Sequence, residues 1–190
     1  MTSISIFGTG AMGSAIGDLL TGGGATVQYV TKSEDAILSG DIVVLAVPYE
    51  ELGGIALDYR DQLVGKVVVD ISNPLDFDTF DSLKVAVDSS AAAELQATLP
   101  DSAVVKAFNT TFAATLIGKE VGPNRTTVLV AGDDATAKQT LIGALTAADV
   151  NAIDAGALKR AHELEAIGFL QLTLANDEKI AWSGGFAVVA

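Results

Sequence analysis

A glycine-rich loop between a strand and a helix is the feature that most constrains the fold of this chain. Ser3 to Phe7 alternate polar and apolar residues as a short strand does, and residues 8–13 then read Gly-Thr-Gly-Ala-Met-Gly. Apolar residues recur at helical spacing over 15–20, and a second strand is predicted from Ala25 to Val30. A GxGxxG loop with a strand before it, and a helix and a second strand after it, is the arrangement that binds the pyrophosphate of a dinucleotide.

The three glycines of this loop have separate physical roles. Gly8 permits the tight turn, Gly10 lets the backbone approach the pyrophosphate, and Gly13 lets the helix pack closely on the strand. The N-terminus of the helix presents unpaired N–H groups to the anion. A flexible glycine turn without a ligand is the alternative, and the surrounding elements favour dinucleotide binding.

The residues after the second strand bear on which dinucleotide binds. An NAD site commonly has Asp or Glu there, about 20 residues after the glycines, to bind the ribose 2′-hydroxyl. Here the chain reads Thr31, Lys32 and Ser33 before the first acid, Glu34. Two hydroxyls and an ammonium bind and neutralise a 2′-phosphate that a carboxylate would repel, so these residues predict NADP. A solvated loop lysine is the alternative interpretation of Lys32.

The charge and composition of the chain exclude several classes of protein. It has 24 Asp and Glu against 11 Lys and Arg, a formal net charge of −13, so we expect no binding to nucleic acids or anionic membranes. No segment offers the ~18 consecutive apolar residues of a membrane span, and the N-terminus lacks a basic secretory segment, so a cytoplasmic location is expected. The chain contains no Cys and one His, His162, so no metal site is expected.

Alternating strands and helices continue along the rest of the chain. The length of 190 residues and the lack of a linker-like segment predict a single domain over 1–190. The predicted fold is α/β, a Rossmann-type domain with a doubly wound, mostly parallel sheet and helices on both faces. Further strands are expected at 42–47, 66–71, 103–108, 126–131 and 151–154, and helices at 50–61, 91–99, 133–148 and 157–175.

The C-terminal segment, 157–190, combines the longest predicted helix with an apolar tail. The helix is apolar around much of its circumference, which in so small a domain indicates packing on more than one face. We expect a homodimer built on the helix and tail, with docking of the helix on its own sheet as the alternative.

Three predicted strand ends carry polar side chains or proline at the edge of the sheet where ligands bind. In open α/β sheets, ligands bind outside the carboxyl ends of the strands, near the point where the strand order reverses. Ordinary turn chemistry also favours these residues, but three such ends together indicate a site. They are Val47-Pro48-Tyr49, Ser72-Asn73-Pro74 and Phe108-Asn109-Thr110.

Five segments, in order along nearly the whole chain, carry a family resemblance. They are Gly-Thr-Gly-Ala-Met-Gly at 8–13, Thr31-Lys32-Ser33, Ala46-Val47-Pro48, Lys-Ala-Phe-Asn-Thr at 106–110 and Asp-Ala-Gly-Ala-Leu at 154–158. With these segments the chain resembles the coenzyme F420-dependent NADP oxidoreductases, whose acceptor is a deazaflavin, and the similar cytosolic domain of membrane metalloreductases. The resemblance implies a Rossmann domain that binds NADP, with the hydride acceptor stacked over the nicotinamide.

The resemblance also implies roles for residues of each segment. The pyrophosphate is expected to lie on Gly8, Thr9, Gly10, Met12 and Gly13, and the 2′-phosphate on Thr31 and Lys32, with Ser33 beside them. The ribose and nicotinamide are expected along Val47, Pro48 and Tyr49, with Asn73 and Pro74 nearby, and the acceptor beside Asn109 and Thr110, of which Asn109 also contacts the cofactor. This chain has Asn109 where the deazaflavin enzymes have a His-containing stretch, and its crossover at 34–41 is short. Both departures leave the acceptor open.

The expected function is an NADP(H)-dependent oxidoreductase that transfers hydride between NADPH and a flavin, deazaflavin or other small acceptor. Because the two ring systems carry that chemistry, no catalytic side chain is predicted. A non-enzymatic NADP-binding sensor or partner-binding module is the main alternative. A larger dehydrogenase of the hydroxyacid or pyrroline-carboxylate type shares the glycine loop, but it requires a substantial helical domain after the last strand.

Overall fold

The computed structural model describes residues 2–31 and 36–189, and its elements follow the predicted alternation. The strands are β1 (Ser3–Phe7), β2 (Thr26–Val30), β3 (Ile42–Leu45), β4 (Val67–Asp70), β5 (Ala103–Lys106), β6 (Glu120–Val121), β7 (Asn124–Arg125), β8 (Thr127–Gly132) and β9 (Asn151–Gly156). The helices are α1 (Ala11–Gly22), α2 (Tyr49–Asp58), α3 (Arg60–Leu63), α4 (Ala91–Thr98), α5 (Ala113–Gly118), α6 (Ala135–Ala147) and α7 (Ala161–Asn176).

Seven of these strands form one sheet, in the order β2-β1-β3-β4-β5-β8-β9. The strands β1 to β5 are all parallel, β8 runs antiparallel to β5, and β9 is parallel to β8. The order reverses beside β1, so the glycine loop after this strand lies at the position where such sheets bind ligands. The prediction of a Rossmann-type, doubly wound and mostly parallel sheet is confirmed.

Each strand contributes apolar side chains alternately to the two faces of the sheet. Ile4 and Ile6 pack with Ile16 of α1, in a core that also includes residues of α5 and α6. Val43 and Leu45 pack on the other face, against a core built from α2, α3, α4 and the start of α7. Because the sheet is buried on both faces, its strands are the near-continuous apolar runs that were recognised in the sequence.

The crossover between β2 and β3 is unusually short and is closed by direct packing on β1. Its described residues, 36–41, form no helix. Gly40 lies so close to β1 that a Cβ there would be 2.3 Å from the Ser5 backbone nitrogen. The Gly40 N–H donates to Ser5 Oγ at 2.9 Å, and that hydroxyl donates to Gln28 Oε1 at 2.7 Å. These bonds join β1 and β2 directly to Gly40 of the crossover.

Several element boundaries differ from the prediction, and three of them matter for the site and the C-terminal helix. The strand β5 ends at Lys106 rather than at residue 108, because Phe108 has a left-handed backbone with φ of 64°. The helix predicted over 50–61 is divided at Tyr59 into α2 and α3. The helix predicted from 157 begins at Ala161, after a 3-10 turn at Leu158–Arg160.

The segment between β5 and β8 also holds structure that the sequence did not suggest. It contains the helix α5 and the small β6–β7 hairpin. At the other end of the chain, residues 184–189 are described but lie outside any helix or strand. Within 2–31 and 36–189, no helix has both the length and the apolar character needed to cross a bilayer.

Candidate functional site

The glycine loop places its three glycines in different surroundings. Gly8 has φ of 96°, and a Cβ there would lie 2.2 Å from the Ala46 carbonyl oxygen of the neighbouring strand end. A Cβ at Gly13 would lie 2.2 Å from the Gly8 carbonyl oxygen. A Cβ at Gly10 would meet no described atom within 4 Å. Gly8 and Gly13 are therefore required by the fold, whereas Gly10 leaves open space beside the backbone.

The N-terminus of α1 faces this open space with its amides uncovered. Gly10 is the N-cap residue, and it supplies no side-chain acceptor for the first-turn amides of the helix. The first turn also contains no acidic residue. Because the partial positive charge at a helix N-terminus attracts anions, this loop and helix fit a pyrophosphate.

A cavity of about 860 Å³ opens in front of the loop. This volume is within the range of ~300–1,000 Å³ that is usual for small-molecule sites. Six of the residues that line it were predicted as cofactor-binding residues: Gly8, Thr9, Gly10, Thr31, Val47 and Pro48. The structure thus brings the glycine loop, the end of β2 and the end of β3 to one cavity.

The opposite wall of the cavity was not predicted, and it comes from α2 and α3. Positions 51, 54, 55 and 58 line the cavity and are spaced so that they share one face of α2. The Tyr59 ring also lines it, and packs edge-on against Phe7 with ring centroids 4.8 Å apart. Helical periodicity could have identified this face, because the helix begins directly at the predicted strand end Val47-Pro48.

The residues predicted to recognise the 2′-phosphate are only partly covered by the structure. Thr31 is exposed and lines the cavity directly after β2. Lys32 and Ser33 lie outside the described residues. Their assignment to the 2′-phosphate stays a prediction from the sequence.

Two other residues predicted for the cofactor have side chains placed elsewhere. Met12 is half-buried and packs on the core beneath α1, so only its backbone belongs to the loop. Tyr49 lines a separate pocket with Ala91 and Leu95, and its hydroxyl donates to Glu94 Oε2 at 2.6 Å. Burial raises the pKa of Tyr49 to about 12, and the hydrogen bond to Glu94 adds to that shift.

Asn73 and Asn109 meet at the carboxyl ends of β4 and β5. Asn73 Nδ2 donates to the Asn109 carbonyl oxygen at 2.9 Å, and Asn109 Nδ2 donates to Asn73 Oδ1 at 2.9 Å. Asn109 Nδ2 also donates to the Leu164 carbonyl oxygen of α7 at 2.8 Å. Asn109 is 4% exposed, and its Oδ1 has no hydrogen-bond partner in the part of the chain that the structure describes. We call these two side chains the amide pair.

The amide pair lies on the same edge of the sheet as the cavity, because parallel strands have their carboxyl ends on one side. Pro74 and Thr110 follow the two Asn residues and are buried. The Thr110 carbonyl oxygen accepts a bond of 3.3 Å from Gln171 Nε2 of α7. Among the described residues, no group of three His, Cys, Asp or Glu side chains is placed to hold a metal ion.

Comparison with known proteins places this chain beside a family of reductases. Residues 23–74 match the model of the family "NADP oxidoreductase coenzyme F420-dependent". The chain is 35% identical over 140 residues to the F420-dependent NADP reductase of Methanocaldococcus jannaschii. This chain is a relative of the F420-dependent NADP reductases. The aligned part is 72% of this chain and 62% of the archaeal protein, so this chain spans less than two thirds of that reductase.

The metalloreductases are a second group of relatives of this F420-reductase-like chain. It is 34% identical over 142 residues to metalloreductase STEAP3 of Rattus norvegicus. That match includes 75% of this chain but 28% of the metalloreductase. The relationship therefore concerns most of this chain and only a part of the metalloreductase.

Solved structures agree with the fold of this F420-reductase-like chain. A protein from Arthrobacter sp. FB24, described as a candidate F420-dependent NADP reductase, matches with a TM-score of 0.86 over 100% of both chains at 24% identity. Hypothetical protein SMa0349 from Sinorhizobium meliloti matches with a TM-score of 0.72 at 28% identity, over 83% of this chain and 86% of its own. The pyrroline carboxylate reductase of Plasmodium falciparum shares the fold at 13% identity, and 67% of that chain is covered.

Proposed function

We propose that this protein is an NADP(H)-dependent oxidoreductase that transfers hydride between NADPH and a flavin, deazaflavin or other small redox acceptor. The observation that carries the proposal is the open space at Gly10, in front of the uncapped N-terminus of α1 and inside the cavity. A bound pyrophosphate would occupy the position that a Cβ would otherwise fill. The Methanocaldococcus jannaschii relative is an F420-dependent NADP reductase, which supports the choice of dinucleotide.

A dinucleotide bound in this cavity would lie along the carboxyl edge of the sheet. With the pyrophosphate on Gly8 to Gly10, the 2′-phosphate end would lie at Thr31 and the nicotinamide end beyond Val47 and Pro48. From β3 to β5 the edge extends about 10 Å, since neighbouring strands are ~4.8 Å apart. The amide pair would therefore stand at the nicotinamide end.

Asn109 Oδ1 is a buried acceptor without a partner among the described residues, so a nicotinamide that extends past the lined cavity to the end of β5 would supply its missing N–H donor. A buried acceptor without a donor costs roughly 1–3 kcal/mol, and a bound donor removes that cost. The carboxamide N–H₂ of nicotinamide is such a donor. When bound, NADPH supplies the hydride, and the protein orients the ring and excludes water. In this role Asn109 orients the ring and takes no part in bond making.

Preference for NADPH over NADH is the direct test of this proposal. Calorimetric titration of the protein with both dinucleotides is expected to show NADPH binding at least tenfold more tightly. Equal affinity for the two, or binding of neither, would overturn the assignment.

Lys32→Ala is expected to weaken NADPH binding about tenfold and to leave NADH binding unchanged. A charge-assisted hydrogen bond contributes ~1.5–3 kcal/mol, and the lost bond concerns only the 2′-phosphate. Dissociation constants from the same titration measure the effect. Lys159→Ala, which removes an exposed lysine ahead of α7, is the matched control and should change neither constant. If Lys32→Ala binds NADPH as tightly as the wild type does, Lys32 does not bind the 2′-phosphate and is a solvated loop lysine.

The acceptor is proposed as a flavin, a deazaflavin or another small redox compound. Steady-state oxidation of NADPH is to be followed with coenzyme F420, FMN, FAD and ferric chelates in turn. Turnover with one of these acceptors supports the reductase. Tight NADPH binding without turnover on any of them would favour the sensor or partner-binding module.

A homodimer through α7 and the tail is also proposed. Leu170 of α7 is 52% exposed, and Trp182 and Phe186 of the tail are 52% and 43% exposed. The Phe186 N–H donates to Gln171 Oε1 at 2.9 Å, so the tail lies along the same helix. These three apolar side chains would be covered by a second copy.

Leu170→Glu is expected to convert the dimer to a monomer, because it would place a carboxylate in an apolar interface. Light scattering coupled to size exclusion measures the mass. Ile117→Glu, at a 70% exposed position on α5, is the control and should leave the dimer intact. A wild-type protein that is monomeric at micromolar concentration would contradict the proposal.

A further inference from the structure

A lysine is completely buried between two carboxylates at the ends of β4 and β5. Lys106 Nζ lies 2.8 Å from Asp70 Oδ2 and 2.8 Å from Glu165 Oε1, and all three side chains are 0–1% exposed. We call these three residues the Lys106 cluster. It belongs to no metal or ligand contact described above, and it carries two carboxylates for one ammonium.

Every N–H of the ammonium has an acceptor. Besides the two carboxylates, Lys106 Nζ donates to the Ser72 carbonyl oxygen at 2.6 Å. Asp70 Oδ1 accepts from the Ser72 N–H at 2.8 Å, and Glu165 Oε2 accepts from the Ala91 N–H at the start of α4 at 3.1 Å. The Lys106 cluster thus joins β4, β5, α4 and α7 at one point.

Stability alone is a weak reason to keep such a cluster. Desolvation of buried charges often exceeds their attraction, so apolar residues of similar volume are commonly as stable or more stable. Burial raises the pKa of Glu165 above its ordinary value, although Lys106 acts in the opposite direction. The bonds instead fix directions and distances, because Lys106 of β5 is bound both to the end of β4, at Asp70 and Ser72, and to Glu165 of α7.

The elements joined by the cluster are those that carry the amide pair. Asn73 follows Asp70 by three residues, and Asn109 follows Lys106 by three. Leu164, whose carbonyl oxygen accepts from Asn109, is the neighbour of Glu165 in α7. One turn later Gly168 approaches so closely that a Cβ would lie 2.2 Å from Asn73 Oδ1. The Lys106 cluster and the amide pair therefore lie next to each other, where the ends of β4 and β5 meet α7.

We propose that Lys106 is a positioning residue that, through Asp70 and Glu165, holds the amide pair in place at the nicotinamide end of the site. The expected effect of Lys106 on turnover rests on the proposed function. The geometric part, control of Asn73 and Asn109 by the cluster, does not depend on the reaction.

The test compares Lys106→Met and Glu165→Gln with Lys138→Met. Lys138 is the matched control because it is a mostly buried lysine whose Nζ bonds are made to Asp154 and the Gly156 carbonyl, on β9. The side-chain amide signals of Asn73 and Asn109 are recorded by NMR without nucleotide, and kcat and KM for NADPH are then measured. Both cluster variants are expected to shift these signals and speed their hydrogen exchange at least tenfold. They should lower kcat at least tenfold with KM changed less than threefold, whereas Lys138→Met should change none of these.

The outcomes separate this inference from the proposed function. If Lys106→Met does not fold, Glu165→Gln, which keeps the Lys106–Asp70 pair, decides the matter. Unchanged amide signals in a folded cluster variant would overturn the inference, as would equal effects in Lys138→Met. If the wild type oxidises no NADPH, the proposed function fails, and the amide signals still decide whether the cluster positions the pair.

Discussion

Gly10→Ala is expected to lower the affinity for NADPH about 100-fold, or by ~2.7 kcal/mol of binding free energy, while the protein stays folded. The new methyl group meets no described atom within 4 Å, so the fold accommodates it. It fills the space through which the pyrophosphate would approach the backbone and the N-terminus of α1. Calorimetric titration with NADPH measures the loss, and thermal unfolding verifies that the midpoint is nearly unchanged.

Gly53→Ala is the matched control for this variant. Gly53 also has open space around its Cβ position, but it lines the separate pocket beside Tyr49. NADPH should bind this control as tightly as the wild type. If Gly10→Ala binds NADPH with wild-type affinity, the pyrophosphate does not lie on the glycine loop.

Gly13→Ala is expected to destabilise the protein by roughly 3 kcal/mol, because the core at this point has no room for a methyl group. The added Cβ would lie 2.2 Å from the Gly8 carbonyl oxygen, a backbone atom that cannot turn aside as a flexible side chain could. The helix α1 must move away from β1 to relieve this contact. Urea unfolding measures the change in free energy.

Gly22→Ala, in the last turn of the same helix, provides the opposite result. A Cβ there meets no atom within 4 Å among the described residues, so we expect a gain of ~0.5–1 kcal/mol from the better helix former. A Gly13→Ala protein as stable as Gly22→Ala would show that α1 does not pack on the loop as described.

The first half of the fold could be predicted from the sequence because its signals are local. The strand, glycine loop, helix and strand over 3–30 occupy consecutive residues, and the contacts that require Gly8 and Gly13 are made inside this unit or to the adjacent strand end. The residue types and spacing of the loop therefore constrain its geometry directly.

The direction of β8 could not be read in the same way. Its antiparallel pairing with β5 depends on the path of 107–126, where α5 and the β6–β7 hairpin return the chain to the sheet. Apolar content identifies a buried strand but carries no information on its direction. Tertiary packing decides it.

The candidate site could likewise be predicted only in part from the sequence. The cradle at 8–10 and the strand end at 47–48 were found because glycine and proline mark them. Tyr59 and the cavity face of α2 were missed because their residue types are ordinary: helical spacing marks the face of α2, but the packing of Tyr59 against Phe7 is a contact of the folded chain. Tyr49 was expected along the ribose and nicotinamide, and its bond to Glu94, 45 residues later, beside a separate pocket, had no signal in the sequence.

The Lys106 cluster could also be predicted only in part from the sequence. A lysine at the end of an apolar strand indicates that some partner must exist. Asp70 is its register partner on the neighbouring strand and ends a similar apolar run, so this pairing had a sequence signal. Glu165 belongs to a helix 59 residues after Lys106 and is brought to it by the whole fold.

Transfer of deuterium from NADPH labelled at C4 to a deazaflavin is the measurement that tests the central claim most directly. A deazaflavin is chosen because hydride transfer forms a C–H bond that does not exchange with water, unlike the N–H formed in a flavin. The account predicts one deuterium in each reduced deazaflavin when the transferred face of the nicotinamide carries the label, and none when the other face carries it. Reduced deazaflavin that carries no deuterium whichever face of the nicotinamide is labelled, or NADPH that binds and reduces no acceptor, would contradict it.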